Sequence, residues 1–372
     1  MKLLTNIELY EILNEDSKGR IILISQNLTG HRIHYLKALL AELSQRQFSL
    51  VLILQNKILY GLDASQISTI DKMDFSYIDN FVEKSEIMKL LDDCSVHEFN
   101  IKILFWDADN WIRFLLFFKG NVRLLFMRPY LTSRRPASII KYFLKWVAIF
   151  HLHFIRKLEI GILGIPYHEP KILPSLWLDD PVLASPKSAI SETDTLLTKK
   201  KLGIEPLSQV ILVPGYLTSR KNPQLAISVF ERVSKQLVKP PYLVFAGKTD
   251  LICQEEILTS KQQNIIHVNR FLSDSEYSRI LSISTIVLLP YSNRGSSAVA
   301  LESLAYGKST IITKFRSWQN AERNSKGLLH LCDLNSKKLS NKIIQIFHSE
   351  SYSGNVILSG VKRDSAIAFL SK

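Results

Sequence analysis

Three short stretches of this 372-residue chain carry residue types at spacings suited to a phosphorylated ligand. The first is Gly215-Tyr-Leu-Thr-Ser-Arg-Lys221-Asn-Pro, where a glycine closes an apolar run and Arg220 and Lys221 stand just before a helix start. Backbone N–H groups, the positive end of a helix and a cationic fork together make a phosphate site. The second is the turn Gly295-Ser296-Ser297, followed by a helix that carries Glu302 one turn from its start. A buried carboxylate there could accept two hydrogen bonds from a ribose diol. The third is Gly247, at the end of another apolar run. Glycine is scarce, fourteen residues in all, so three of them in strand-to-helix turns of one half is informative. Each would let a ligand approach the backbone closely. Plain turn geometry would explain any one of them; the shared placement favours a common ligand cleft, holding a nucleotide diphosphate. No G-x-G-x-x-G and no Walker-type loop occurs, which leaves dinucleotide and P-loop sites unsupported.

These turns need strands to hold them. Residues 285–289 form a β-branched run with no polar face, as a strand buried in a parallel sheet requires. Pro290 ends it, residues 291–297 read as a turn too flexible and polar to be core, and the following helix stops at Gly307, a natural left-handed cap. Residues 309–313 return as a strand. Further strands are expected at 210–213, 242–246 and 264–268, and helices at 223–238, 273–283 and 339–347. Ser273 and Glu276 have capping-box spacing. In the first half, strands are expected at 21–25, 50–54, 101–106, 122–127 and 159–163, with helices over 31–46 and near 84–91. Strands alternating with helices imply parallel βαβ winding. A stretch at 170–198, rich in Pro, Ser and Asp, reads as the hinge, and 361–370 as a weak last helix.

Length supports two domains, each with its own core. Cys94, Cys253 and Cys332 lie far apart and give neither a disulfide framework nor a zinc pattern, as suits a reducing cytoplasm. No signal-like N-terminus and no bilayer-spanning run is present. The net charge of +13 is unevenly placed: residues 110–158 hold ten Lys or Arg and no Asp or Glu. Within them, 136–158 reads as one helix interleaving Ile139, Phe143, Leu144, Val147 and Phe150 with Lys141, Lys145, Arg156 and Lys157. A helix lying at an anionic membrane interface and a buried helix with snorkelling lysines both fit that pattern. No recognisable nucleic-acid motif accompanies the charge, and no nucleic acid is expected as a partner.

The order of these elements over roughly 201–313 resembles the donor domain of retaining GT-B glycosyltransferases of the broad family 4 class, the glycosyl transferases group 1. The likeness rests on the strand, glycine and Arg-Lys element of 210–230, the Phe245-Ala246-Gly247 strand end, the run His267 to Glu276, and an Arg294 to Ile311 segment like the family's Glu-x7-Glu signature. The first half is similar to the acceptor domain more weakly, through its initial strand and Thr29-Gly-His-Arg-Ile-His-Tyr35.

The resemblance implies an α/β GT-B fold, two Rossmann-like domains facing each other across a cleft: an acceptor domain over 1–183, containing the basic segment 110–158, a donor domain over 184–345, and a tail over 346–372. It implies a hexosyltransferase-like enzyme that moves a sugar, with retention, from a UDP- or GDP-linked donor to a glycan or lipid-linked acceptor in surface polysaccharide synthesis. The location would be cytoplasmic and peripheral on the inner face of the plasma membrane. The nucleotide sugar is a substrate; no cofactor and no metal are implied. Carried over, Lys221 and Arg220 would hold the diphosphate, Glu302 the ribose, and Gly215, Gly247 and the Gly295, Ser296 and Ser297 amides the sugar or phosphates. Arg294 stands where the signature's first Glu usually meets the donor sugar, and Tyr216 where many members place an arginine. Arg294 and His31 are the catalytic candidates, with Arg32 and His34 beside His31. Asp107-Ala-Asp109 reads as a loop lining the acceptor cleft rather than a metal site. The two departures sustain an alternative, a non-catalytic GT-B-like protein binding a glycan or partner.

Overall fold

The computed structural model describes residues 2–3, 20–25, 36, 39–40, 49–54, 75–78, 101–105, 108, 111–116, 122–126, 136–163 and 177–178, and then 190–349 apart from 261 and 293–296. These residues divide into two compact units, one reaching Leu178 and the other starting at Ile190.

The first unit is built on eight parallel strands: β1 (Lys2–Leu3), β2 (Arg20–Ser25), β3 (Ser49–Leu54), β4 (Ser76–Ile78), β5 (Ile101–Phe105), β6 (Val122–Phe126), β7 (Glu159–Leu163) and β8 (Trp177–Leu178), in the order β1-β4-β3-β2-β5-β6-β7-β8. Ile22, Leu23, Ile24 and Leu52 are fully buried, the result expected of β-branched and leucine runs covered on both faces. A short α1 (Ile112–Leu115) and a long α2 (Pro136–Phe150) follow β5 and β6. Trp146, Ile149 and Leu152 pack with Ile22, Phe105 and Phe126 in one core. The single helix expected over 136–158 changes character at its end: residues His151–Ile155 form a π turn, closed by the Arg156 N–H to His151 O and the Leu158 N–H to Leu152 O, each at 3.0 Å.

The second unit holds six parallel strands, β9 (Val210–Pro214), β10 (Tyr242–Ala246), β11 (Ile265–Val268), β12 (Ile286–Leu289), β13 (Ser309–Thr313) and β14 (Leu329–Cys332), in the order β11-β10-β9-β12-β13-β14. Its helices are α3 (Glu192–Lys201), α4 (Pro223–Ser234), α5 (Leu251–Leu258), α6 (Asp274–Ile283), α7 (Ala298–Ala305), α8 (Gln319–Asn324) and α9 (Ser336–His348). Ile211, Val213, Phe245 and Leu288 share a core with Val229, Phe230 and Ile343 of the covering helices. Each such side chain contributes roughly 1.5–3 kcal/mol of burial.

Of the expected hinge over 170–198, residues 170–176 and 179–189 lie outside the described residues. Trp177–Leu178 adds to the first sheet, and α3 begins at Glu192 with the Ser191 hydroxyl accepting from Asp194 N at 3.1 Å. α3 buries no side chain fully and has no apolar stripe, so periodicity could not announce it. Its acids at the start and its three lysines at the end suit the helix dipole, and Thr195 Oγ1 bonds Ser282 Oγ of α6 at 3.1 Å. α4 stops at Ser234, one turn before the expected 238, and α9 runs through 346 to His348, past the expected end of the donor domain. Of the helix expected over 31–46 only Leu36, Leu39 and Leu40 are described, all helical. The helices expected near 84–91 and 361–370 lie outside the described residues.

α6 carries the capping box as expected: Glu276 N donates to Ser273 Oγ at 3.2 Å and Ser273 N to Glu276 Oε2 at 2.9 Å. Ser273→Ala is expected to lower stability to urea by about 1 kcal/mol. The Arg270 fork holds the Glu276 carboxyl down at about 2. A lowered carboxylate stabilises the fold above its unfolded value, and that contribution is lost as pH falls from about 4.5 toward 2. Acid titration of Arg270→Met should therefore show a shallower loss over that window.

Candidate functional site

The second sheet reverses its winding beside β9: the chain moves outward through β10 and β11, then returns to the other side of β9 with β12. Ligands of open α/β sheets bind outside the carboxyl ends of the strands at such a switch point. The two loops that leave it are those following β9 and β12, which hold Gly215 to Lys221 and Tyr291 to Ser297.

The β9 loop is fixed residue by residue. Gly215 N donates to Ala246 O at 2.8 Å, Leu217 N to Lys248 O at 2.9 Å, and Asp250 N to Leu217 O at 3.0 Å, so the β9 and β10 exits stay paired beyond the sheet. Ser219–Lys221 make a 3-10 turn, and Asn222 takes a left-handed φ of 46° before Pro223 opens α4. The Asn222 amide donates to Pro290 O at 3.0 Å, tying this loop to the end of β12. The turn sends the Lys221 side chain back under Gly215, where its ammonium donates to Pro214 O. Gly215 sits at φ +87°, and a Cβ there would stand 2.6 Å from Lys221 Nζ. The spacing between that glycine and that lysine is therefore steric as well as chemical: the missing side chain is the space the ammonium occupies.

Lys221 is only 4% exposed. Burial first, then the charge of Arg220, brings its pKa down to about 7. Among the described residues no carboxylate lies within ion-pair distance of it. Arg220 lays its guanidinium 4.6 Å from the Tyr291 ring centroid, a cation–π stack. The Tyr291 hydroxyl bonds Ser297 Oγ at 3.2 Å, and that oxygen accepts from Ala300 N at 3.2 Å, capping α7. Ser292 N donates to Arg220 O at 2.9 Å, closing a second link between the loops. Val299 of α7 would touch a Gly215 Cβ at 3.7 Å, so the first turn of α7 stands over the glycine. Glu302, one turn further along α7, is 7% exposed. Behind it lies Tyr277 of α6, whose phenol is raised well above its ordinary value by burial and next by the Glu302 charge.

Of the residues singled out in the sequence, Gly215, Arg220, Lys221 and Gly247 stand together, and Ser297 and Glu302 lie on the adjoining α7. Gly247 serves the pairing of the turns: a Cβ there would strike Gly215 O at 2.5 Å and its carbonyl carbon at 2.7 Å. Tyr216 is exposed, beside Gly215. The 291–297 turn is less polar in its packing than expected, because Tyr291 and Ser297 at its two ends are both buried. His31, Arg32, His34, Asp107, Asp109, Arg294, Gly295 and Ser296 lie outside the described residues. Sequence reasoning missed Tyr291 as the platform under Arg220 and Tyr277 behind Glu302. The available signals were an aromatic just past a strand's closing proline and one in the second turn of a boxed helix. It also missed Thr249 and His267, joined at 2.7 Å where β10 and β11 end.

Residues 194–360 match the profile of a family described as glycosyl transferases group 1. No curated protein sequence matches the chain. Several solved structures share its fold. A glycosyltransferase from Rickettsia africae is 14% identical with a TM-score of 0.60, over 95% of this chain and 91% of its own. HepE of Anabaena, solved with UDP and glucose, is 11% identical with a TM-score of 0.61, over 89% and 90%. MnaA of S. aureus, solved with UDP, is 12% identical with a TM-score of 0.61, over 95% and 93%. The chain is thus an α/β protein of the GT-B kind, with two Rossmann-like units.

Gly247→Ala should destabilise the protein by about 2 kcal/mol in urea unfolding, since φ +136° and the Gly215 backbone both oppose a side chain. Lys221 supplies a pH test. Between about 7, its folded value, and 10.5, its ordinary one, the unfolded chain holds a proton that the folded chain lacks. Stability rises with pH over that window on this account. Lys221→Met should be the more stable protein near pH 7, with the difference shrinking as pH approaches 10.

Proposed function

We propose that this chain is a glycosyltransferase that moves a sugar from a UDP- or GDP-linked donor to a glycan or lipid-linked acceptor. The observation that carries the reading is Lys221, a buried ammonium without a carboxylate partner among the described residues, set at the switch point beneath an obligatory glycine. Its backbone acceptor, Pro214 O, satisfies a donor but does not balance a charge. A diphosphate over Gly215 would supply that balance, with Arg220 beside it and the first turn of α7 adding its helix-terminal N–H groups. Glu302, one turn along α7, would accept from a ribose diol. The profile match, spanning β9 through α9, and the nucleotide-bound neighbours support the same reading.

In the transfer the bond between the anomeric carbon and the diphosphate oxygen breaks, an acceptor hydroxyl oxygen bonds to that carbon and yields its proton to the departing phosphate, and negative charge grows on that phosphate as it leaves. Lys221 and Arg220 are fixed before the reaction, so they stabilise that charge without reorganising. Arg294 and His31 are the candidate catalytic residues, and transfer would retain the anomeric configuration. Surface polysaccharide synthesis at the cytoplasmic face of the plasma membrane is the setting we assign.

A second reading is favoured by one feature, Arg294 in place of the signature's first Glu: a GT-B-like protein that binds without turning over. Release of UDP or GDP from a panel of nucleotide sugars separates the two, since a binding protein would show affinity without release.

Lys221→Ala and Glu302→Ala should each weaken UDP or GDP binding by about 10- to 100-fold, the range for hydrogen bonds to charged groups. Binding by the unaltered chain at pH 8 should take up close to one proton as Lys221 becomes charged against the diphosphate. Calorimetry in buffers of different ionisation enthalpy reads that uptake, which should vanish in Lys221→Ala. Unchanged affinity in both variants would remove the donor site from this loop pair.

A further inference from the structure

The outer face of α2 and its π turn is not built like the surface of a protein that meets only water. Ile140 is 59% exposed, Phe143 66%, Leu144 58% and Phe154 56%, with Val147 and Phe150 also open. At 100° per residue the α-helical members of this group span an arc of about 120°. The opposite face, Trp146, Ile149 and Leu152, is buried in the first unit's core. The helix is therefore apolar on both sides, and among the described residues only one side has protein packed against it. Contiguous exposed apolar surface of this kind marks a site of interaction with a protein or a membrane.

Charge decides which. Residues 110–158 contain no acid, and the helix is bordered by exposed Lys141 near its start and exposed Lys157 at the end of the π turn. A second copy of the same face would bring its lysines against these, and like charges directly opposed are unfavourable. An anionic lipid surface meets both requirements at once, accepting the apolar stripe below its headgroups and pairing its phosphates with the lysines. No described helix is long and apolar enough to cross a membrane, which leaves the in-plane arrangement.

We propose that α2 with its π turn is a membrane-docking element. It would lie parallel to an anionic bilayer, with Ile140, Phe143, Leu144, Val147, Phe150 and Phe154 entering the acyl boundary and Lys141 and Lys157 at the phosphates. The proposal is independent of the transfer reaction assigned to the second unit. Flotation of the full chain with vesicles of phosphatidylcholine containing one-quarter phosphatidylglycerol tests it. We expect at least tenfold greater partition onto these vesicles than onto phosphatidylcholine alone. Phe143→Ser with Phe150→Ser should cut that partition at least tenfold, and Lys141→Glu with Lys157→Glu should abolish the preference for the anionic lipid. Lys141, Phe143 and Lys157 are exposed, and among the described residues the ring contacts of Phe150 are with Trp146 and Phe154, so both double variants should still unfold cooperatively, with the lysine variant unchanged in thermal midpoint. Equal flotation of the unaltered chain and the phenylalanine variant would overturn the proposal. So would light scattering that shows a dimer converted to a monomer by that variant, or retention on single-stranded RNA with no vesicle binding.

Discussion

An ammonium buried under a glycine governs the architecture of the second unit. For Lys221 to lie beneath Gly215, the chain must leave β9 in a left-handed glycine conformation, turn through Ser219–Lys221, and pass a second left-handed residue, Asn222, before α4 can begin. That path is held from outside by the Asn222 amide on Pro290 O and by Ser292 on Arg220 O, both from the end of β12. Gly247 must be bare for the β10 exit to sit against Gly215. One cation thus fixes two glycines, a left-handed asparagine and the mutual position of two loops. A hydrophobic isostere would not need any of them, and would relieve the desolvation that holds the lysine near neutrality. Burying a charge at that cost suits a site that takes an anion, the role proposed for Lys221.

Much of this was legible before any coordinates. Strands buried on both faces announce themselves as short apolar runs, as at β2, β3, β9, β10, β12 and β13, with the β-branched run clearest at β12. Side chains that bond within three residues are equally visible, as with Ser273 and Glu276. Elements that depend on distant partners were not. β1, β4 and β8 are two or three residues long and exist only because a neighbouring strand pairs with them. α3 has no apolar stripe and is positioned by capping and by Ser282, so hydrophobic period had nothing to detect.

The candidate site divides along the same line. Gly215, Arg220, Lys221 and Glu302 could be picked out because their types and their place after strands imply chemistry. What the sequence could not supply is the reason for the spacing: the six-position step from Gly215 to Lys221 is what it takes for a side chain to return beneath its own turn. Tyr291 was invisible for a related reason. Its ring matters only because Arg220, seventy-one positions earlier, stacks on it, and its hydroxyl only because Ser297 then caps α7. Removing the ring would loosen Arg220 and the α7 cap together, so Tyr291 couples the Arg220 loop to the helix that carries Glu302.

The excess positive charge of the chain takes two physically different forms. In the second unit Lys221 is desolvated and held at one point, so its interaction with a ligand is short-range, poorly screened by salt and specific in geometry. On α2 the cations are exposed and border apolar side chains, so their attraction reaches about a Debye length, weakens with salt, and gains specificity only from the apolar surface beside them. A single binding activity would not require both. Two charged partners of different kinds would, one a compact anion to be enclosed and the other an extended anionic surface to be lain upon. On the proposed reading, a nucleotide-linked donor at Lys221 and an anionic bilayer beneath α2 would form such a pair.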